Sequence, residues 1–254
     1  MIAGYSIWKI VIICIGVFVA GTIDAIGGGG GLITVPVYLM AGLPTHYALG
    51  TNKMSSCLGT IASTLRYIKN GFVNWKLAIP SIILAITGAH FGTTFQLMVD
   101  DKYLKYILIF VLMAVAIVMI KKKELPETAG DIDSKKQCAI VWALSFTIGM
   151  YDGFYGPGTG TFLLIAFCRL AKMDVKTASG NVKVVNLSSN IGGFLTSLTA
   201  GKVIVPIGFI AAVFSFLGHY IGAGLLIKKG TKIVTPVILL VLTIFIIKIM
   251  VEIV

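Results

Sequence analysis

The chain alternates long apolar segments with short polar ones, and the segment lengths predict its elements. Five apolar segments come first, at roughly 5–26, 31–43, 46–69, 75–98 and 102–120. A polar stretch from Lys121 to Lys136 follows; with Pro126 and Gly130 inside it, it reads as an exposed linker. Five more apolar segments lie at roughly 137–155, 160–171, 175–200, 204–227 and 232–254. Segments of about 20 apolar residues are long enough to cross a bilayer as helices. The second segment of each set has only about 12 residues, or about 18 Å of helix, which is too short to span alone. Each of these short segments follows a glycine-rich stretch. Residues 1–26 have the outline of a signal peptide, with Lys9 ahead of an apolar run. A counterpart later in the chain argues that the segment is retained.

That counterpart belongs to an internal repeat. Gly21-Thr-Ile-Asp24, followed by Gly27 to Gly31, aligns with Gly149-Met-Tyr-Asp152, followed by Gly156-Pro-Gly158-Thr-Gly160, at an offset of 128. Two residues later the offset becomes 130 and holds. Ala48, Gly50 and Lys53 then match Ala178, Gly180 and Lys183; Gly71 and Val73 match Gly201 and Val203; Gly88 and Gly92 match Gly218 and Gly222. Chance does not hold one register over 40 residues while falling on Gly, Asp and Lys. The chain therefore reads as two homologous membrane repeats, 1–120 and 137–254, joined by the linker 121–136. The predicted class is an all-α polytopic membrane protein.

Composition agrees. Hydrophobic residues make up 57% of the 254 residues and charged ones 12%, against about 25% charged in soluble domains. That excludes a cytosolic enzyme, a nucleic-acid-binding domain and a disordered chain. The net charge of +11 would suggest nucleic acid in a soluble protein. Here the cations fall in short loops, where they set orientation, and no nucleic-acid partner is expected. The four cysteines, Cys14, Cys57, Cys138 and Cys168, have no ligand spacing and read as small buried hydrophobes.

Loop charge also discriminates between two topologies. If each short segment completes a crossing, each half has five crossings and the halves are inverted. Arg66, Lys69, Lys76, the five linker lysines, Arg169, Lys172, Lys176, Lys228, Lys229 and Lys232 then share one side, leaving Lys9, Lys102, Lys105, Lys202 and Lys248 on the other, a split of 14 to 5. If each short segment only dips and returns, the halves are parallel and the split is 11 to 8. The positive-inside rule favours the first: inverted repeats with broken or short half-helices, both termini outside and the linker in the cytoplasm.

Asp24, Lys53, Asp152 and Lys183 are ionisable residues well inside apolar segments. A charge near the bilayer centre costs at least about 2.5–3.5 kcal/mol, so such residues face a cavity, a partner or a substrate. Lys53 and Lys183 each lie about eight positions into the third helix of their half, about 12 Å from opposite faces. Ser56 and Thr60 share a helix face with Lys53, as Asn186 and Asn190 do with Lys183. Lysines with such neighbours suit a small oxyanion. The alternative is that each lysine pairs with Asp24 or Asp152 and only fixes helix packing; both hold if the substrate displaces a carboxylate.

The glycine stretches, with Gly28, Gly29 and Gly30 in one half and Gly156, Gly158 and Gly160 in the other, permit broken helices. The N-termini that follow offer free N–H groups and a positive dipole end. Paired discontinuous half-helices are a pointer to a transporter site; close helix packing is the plainer use of the same glycines. No strand–turn–helix context supports a nucleotide motif. Gly88-x-x-x-Gly92 and Gly218-x-x-x-Gly222 are small-residue faces suited to packing within the chain, with a homodimer seam as the alternative. His90 and His219 read first as packed histidines and second as proton relays. Tyr151, Phe154 and Tyr155 flank the second glycine stretch and are candidates to line a cavity. No triad, metal cluster or carboxylate pair points to an enzyme, and no cofactor or metal is called for.

The glycine run with Asp24 and Pro36, the segment Ala48-Leu-Gly-Thr-Asn-Lys53 and the later Gly71-x-Val73 resemble the sulfite exporter TauE/SafE family of membrane transporters. Tyr151-Asp-Gly-Phe-Tyr-Gly-Pro-Gly-Thr-Gly160 and Lys183-Val-Val-Asn186-Leu-Ser-Ser-Asn190 are similar to its bacterial inner-membrane members. The resemblance implies transport of sulfite, sulfonates or other sulfur-containing anions. On that reading Lys53 and Lys183 supply positive charge. Asn52, Ser56, Asn186 and Asn190 bind the oxyanion, the glycine half-helix ends and Tyr151 complete the site, and Asp24 and Asp152 act as counter-ions or carry coupling protons. A passive anion channel and a non-transporting membrane scaffold are the rival readings.

Overall fold

The computed structural model describes residues 1, 3–104, 106–107, 110, 126 and 128–229. The expected segment 232–254, most of 102–120 and part of the linker lie outside the described residues. Eight helices are described in full: α1 (Ile7–Gly27), α2 (Gly31–Met40), α3 (Thr45–Lys69), α4 (Trp75–Met98), α5 (Ser134–Phe154), α6 (Thr159–Arg169), α7 (Val175–Thr199) and α8 (Val205–Lys229). Among the described residues there is no strand. The ends follow from capping chemistry. Ser6, Asn74, Asp133 and Asp174 each accept a backbone N–H of the first turn that follows, which satisfies donors a helix start leaves open. Asp101 does the same for α3 from a distance, accepting from the Thr45 and His46 amides at 3.1 Å.

Contacts between helices fix their directions. Gly50 lies against Ser197 and Lys202, Lys53 against Asn190, and Thr64 against Lys183. As α3 advances α7 recedes, so these repeat-equivalent helices are antiparallel. Gly88 and Gly92 meet Phe146 and Met150, so α4 and α5 run together; Gly218 and Gly222 meet Phe18 and Thr22, so α8 and α1 run together. Met54 meets Gly208 and Arg66 meets Gly224, so α3 runs with α8. Within the first half, Gly16 packs on Val37 and Lys9 approaches Gly42. Short α2 therefore carries the chain back to the level where α1 began. In the second half Gln137 donates to Ala171 O at 2.7 Å, so α6 does the same for α5.

Both glycine pairs of the small-residue faces are spent inside the chain, each replacing side-chain bulk at a helix crossing. Lys76 Nζ reaches Ser134 Oγ at 3.2 Å, and Lys176 Nζ lies over the Phe72 ring, at one end of the bundle. Lys202 Nζ lies over the Tyr47 ring at the other.

By length and apolarity α1, α4 and α8 suffice to cross a membrane. The most polar long helices, α3 and α7, lie at the centre, with 15 and 16 of their 25 residues buried. They are enclosed by the others, whose outer faces carry exposed Trp8, Ile83 and Phe209. Such apolar surface suits lipid contact. All four cysteines are buried, as their positions suggested.

At Gly92 any Cβ would fall on the Met150 carbonyl. Gly92→Leu is expected to cost on the order of 1–3 kcal/mol through overpacking. Its thermal unfolding midpoint in detergent should drop, while that of Phe91→Leu, on the exposed face, stays near the parent value.

Candidate functional site at the helix breaks

The chain breaks helix twice at equivalent places, and the two breaks abut. After α1, Gly28 takes φ +76°, a left-handed conformation open to glycine, and its N–H bonds Asp24 O at 2.9 Å. Its Cα lies against the backbone of Gly160, and Thr161 Oγ1 donates to Gly27 O at 2.8 Å. Gly31 packs on Pro157 across the same contact. The starts of α2 and α6 thus lie together at the centre of the molecule.

Each buried lysine pairs with the aspartate of the other half. Lys53 Nζ lies 2.7 Å from Asp152 Oδ2, and Lys183 Nζ lies 2.6 Å from Asp24 Oδ2. All four residues are held inside apolar segments, where an unpaired charge is costly. Lys53 also donates to Asn190 Oδ1 at 3.3 Å, and Asn190 Nδ2 donates to Asn186 Oδ1 at 3.1 Å. Asp24 is held by more groups: Gly30 N donates to its Oδ1 at 3.0 Å, Lys183 also reaches its backbone carbonyl, and His219 Nε2 lies 3.2 Å from its Oδ2.

Most of these residues line a central cavity of about 30 Å³. Of the residues the sequence singled out, Asp24, Gly29, Gly30, Asn52, Lys53, Ser56, Asp152, Gly156, Gly160, Asn186 and Asn190 line it. Four others do not. Lys183 stands behind Asp24, its ammonium taken up by that residue's carboxylate and carbonyl. Gly28 is turned to the partner break. Gly158 serves as the left-handed residue before α6. The Tyr151 hydroxyl donates to Pro157 O at 2.6 Å, bracing the second break.

The cavity also takes Thr34, Thr60, Thr159, Ser215 and His219. Thr60 came from the helix face shared with Lys53, but Thr34, Thr159 and Ser215 carried no sequence signal beyond being polar in apolar helices. Thr60 Oγ1 is buried and has no hydrogen-bond partner among the described residues. Among those residues, too, no group of three or more His, Cys, Asp and Glu side chains converges in a way that could hold a metal ion.

A helical bundle with apolar outer faces, two broken helices and a buried, charged centre belongs to the class of all-α polytopic membrane proteins. Comparison with known proteins agrees. The chain matches the family described as Sulfite exporter TauE/SafE over residues 13–249. It is 37% identical to a Sinorhizobium protein named probable membrane transporter protein ORF9, covering 88% of this chain and 85% of that one. It is 33% identical to a probable membrane transporter protein of Haemophilus influenzae, covering 91% and 89%. It is likewise 33% identical to the Escherichia coli probable membrane transporter protein YfcA, covering 87% and 82%. No solved structure matches. The chain belongs to the sulfite exporter TauE/SafE family, a family of integral membrane transporters.

The ion pairs make a thermodynamic prediction. Lys53→Met leaves Asp152 buried without its cation and should cost about 3–5 kcal/mol. Lys53→Met combined with Asp152→Asn should recover most of that loss. Thermal unfolding of the two single variants and the double variant in detergent measures the coupling.

Proposed function

We propose that this chain is a secondary transporter of small anions, of the sulfite or organosulfonate type, bound between two inverted repeats. The observation that carries the reading is the cavity itself, where both helix breaks, a buried lysine and a Thr60 hydroxyl without a partner among the described residues converge. A tetrahedral or pyramidal oxyanion offers three oxygens, each able to accept several hydrogen bonds. Lys53, Asn52, Ser56, Thr60 and Asn190 offer donors from one side, and the N-terminal turns of α2 and α6 add positive dipole ends.

The entering anion exchanges with a carboxylate. Lys53 holds Asp152 through one ammonium, whereas Asp24 is held by Lys183, His219 and the Gly30 amide. The Asp152 side is therefore the easier to open, and Lys53 is the cation that passes from carboxylate to substrate. Lys183 acts on the substrate through Asp24. The antiparallel course of α3 and α7 supports the inverted arrangement, and in such transporters one repeat rocks against the other around the central site. Loop lysines support an inner-membrane orientation with the 121–136 linker in the cytoplasm, and protons are the proposed coupling ion.

Sulfite and methanesulfonate should each raise the unfolding midpoint of the purified protein. Asn190→Ala should weaken anion binding about tenfold, a loss of about 1.4 kcal/mol, and Lys183→Met should abolish the anion-dependent rise. In proteoliposomes a pH gradient should drive sulfite above its equilibrium distribution. Equal midpoints with and without both anions would sink the assignment; passive equilibration alone would favour a channel.

A further inference from the structure

His219 breaks the symmetry of the site. With the repeat offset of 130, its counterpart is Ala89, which packs against Gly153. Likewise Ser215 corresponds to Ala85, which lies against Gly149. The second aspartate thus has no imidazole beside it, and the first one does. Room for the ring is made by Gly21 of α1 and Gly59 of α3, which lie against its Nδ1 and Cε1. The ring is 3% exposed and lines the central cavity.

Its two nitrogens face two acceptors. Nδ1 lies 2.9 Å from Ser215 O, and Nε2 lies 3.2 Å from Asp24 Oδ2. A carbonyl and a carboxylate only accept, whereas a neutral imidazole has one N–H and one lone pair. A neutral ring therefore turns a lone pair either on Asp24 or on the Ser215 carbonyl. In the second case the only nearby substitute donor among the described residues is Ser215 Oγ, at 3.4 Å. The imidazolium satisfies both contacts at once, so the geometry has a place for one additional proton between α1 and α8.

The charges of the site give that proton a use. Lys53 and Lys183 balance Asp24 and Asp152, so these four groups sum to zero and by themselves give no net attraction for an anion. A proton on His219 brings the sum to +1, the charge that a monoanion cancels. The other titratable groups around the ring do not alter this count. From α3, Tyr67 donates its hydroxyl to Ala25 O, and Arg66 lies beyond it with its guanidinium on Tyr220 O and the Tyr220 ring. From α1 the facing group is Asp24, backed by Lys183 of α7.

We propose that His219 is the proton site of the transporter, and that one proton on its imidazole enters with one anion in the central cavity. The inference rests on the anion-transporter reading and names the residue through which that transport is coupled to protons. Asp24 is then the partner that positions and stabilises the imidazolium, and Asp152 the carboxylate that yields to substrate. By linkage, anion affinity should fall about tenfold per pH unit over the range in which His219 loses its proton.

The test uses methanesulfonate, which keeps a single negative charge across the working range, so any proton taken up belongs to the protein. Binding is measured calorimetrically and proton uptake with a pH dye in weak buffer, using the purified full-length chain in detergent. The expected result is about one proton per anion in the parent and in His46→Gln/His90→Gln, and none in His219→Gln, whose residual binding is as weak as that of the parent at high pH and no longer varies with pH. Because the chain has three histidines, ¹⁵N spectra of His46→Gln/His90→Gln report His219 alone. They should show both ring nitrogens protonated in the anion complex, which keeps the test decisive if His219→Gln does not fold. Binding without proton uptake, uptake that persists in His219→Gln, or a neutral ring in the complex overturns the His219 assignment and leaves the anion reading standing. Failure of the parent to bind both methanesulfonate and sulfite overturns the anion reading and the inference with it.

Discussion

Each lysine buried in the centre of this protein is neutralised by the aspartate of the opposite half. The fold depends on that exchange. An ammonium or a carboxylate alone at this depth would cost several kcal/mol, so neither half can bury its own charges without the other. The two aspartates lie just ahead of the two helix breaks, and pairing across the halves draws the breaks into contact at Gly28 and Gly160. The bulk-free backbone of the glycines is what allows the approach. The polar helices α3 and α7 are enclosed as a result, while the apolar faces of α1, α4 and α8 remain outside.

The same arrangement connects stability to function. A site held together by ion pairs sums to zero charge, and on the proposed reading an incoming anion competes with a carboxylate for an ammonium. Asp152 depends on one cation, whereas Asp24 has a lysine, an imidazole and a backbone amide. Repeat symmetry places the two pairs alike, and the imidazole makes them unequal. In the proposed mechanism this inequality lets one side respond to substrate and the other to a proton. Family membership and the membrane transporters it resembles give the coarse function; the unequal pairs supply the mechanism proposed here.

Much of this was legible in the chain. Charge is so scarce inside the apolar segments that Asp24, Lys53, Asp152 and Lys183 stand out along the chain. The glycine runs mark both breaks, and the helix bounds fall within about three residues of the segments read from hydropathy. Polar neighbours on the Lys53 and Lys183 faces were recoverable from helical spacing, because period 3.6 puts residues three and four apart on one side. Less legible were Thr34, Thr159 and Ser215, since a hydroxyl in a membrane helix usually bonds its own backbone. Tyr151 lies outside the central cavity, its hydroxyl donating to Pro157 O, and lines a separate pocket with Phe154.

The sequence by itself determined the membrane class, the broken helices and which charges are buried, because these follow from local composition. Tertiary structure alone decided who pairs with whom. The Lys183–Asp24 contact joins residues 159 positions apart, and its existence depends on the antiparallel packing of α3 against α7. The same packing puts Lys183 behind Asp24 rather than on the cavity wall. Packing of α8 against α1 brings His219, which reads along the chain as an ordinary packed histidine, to within hydrogen-bonding distance of Asp24, the carboxylate that also holds Lys183. Spacing along one helix can tell which residues share a face. What that face meets depends on helices from the other half of the chain, and no local pattern encodes it.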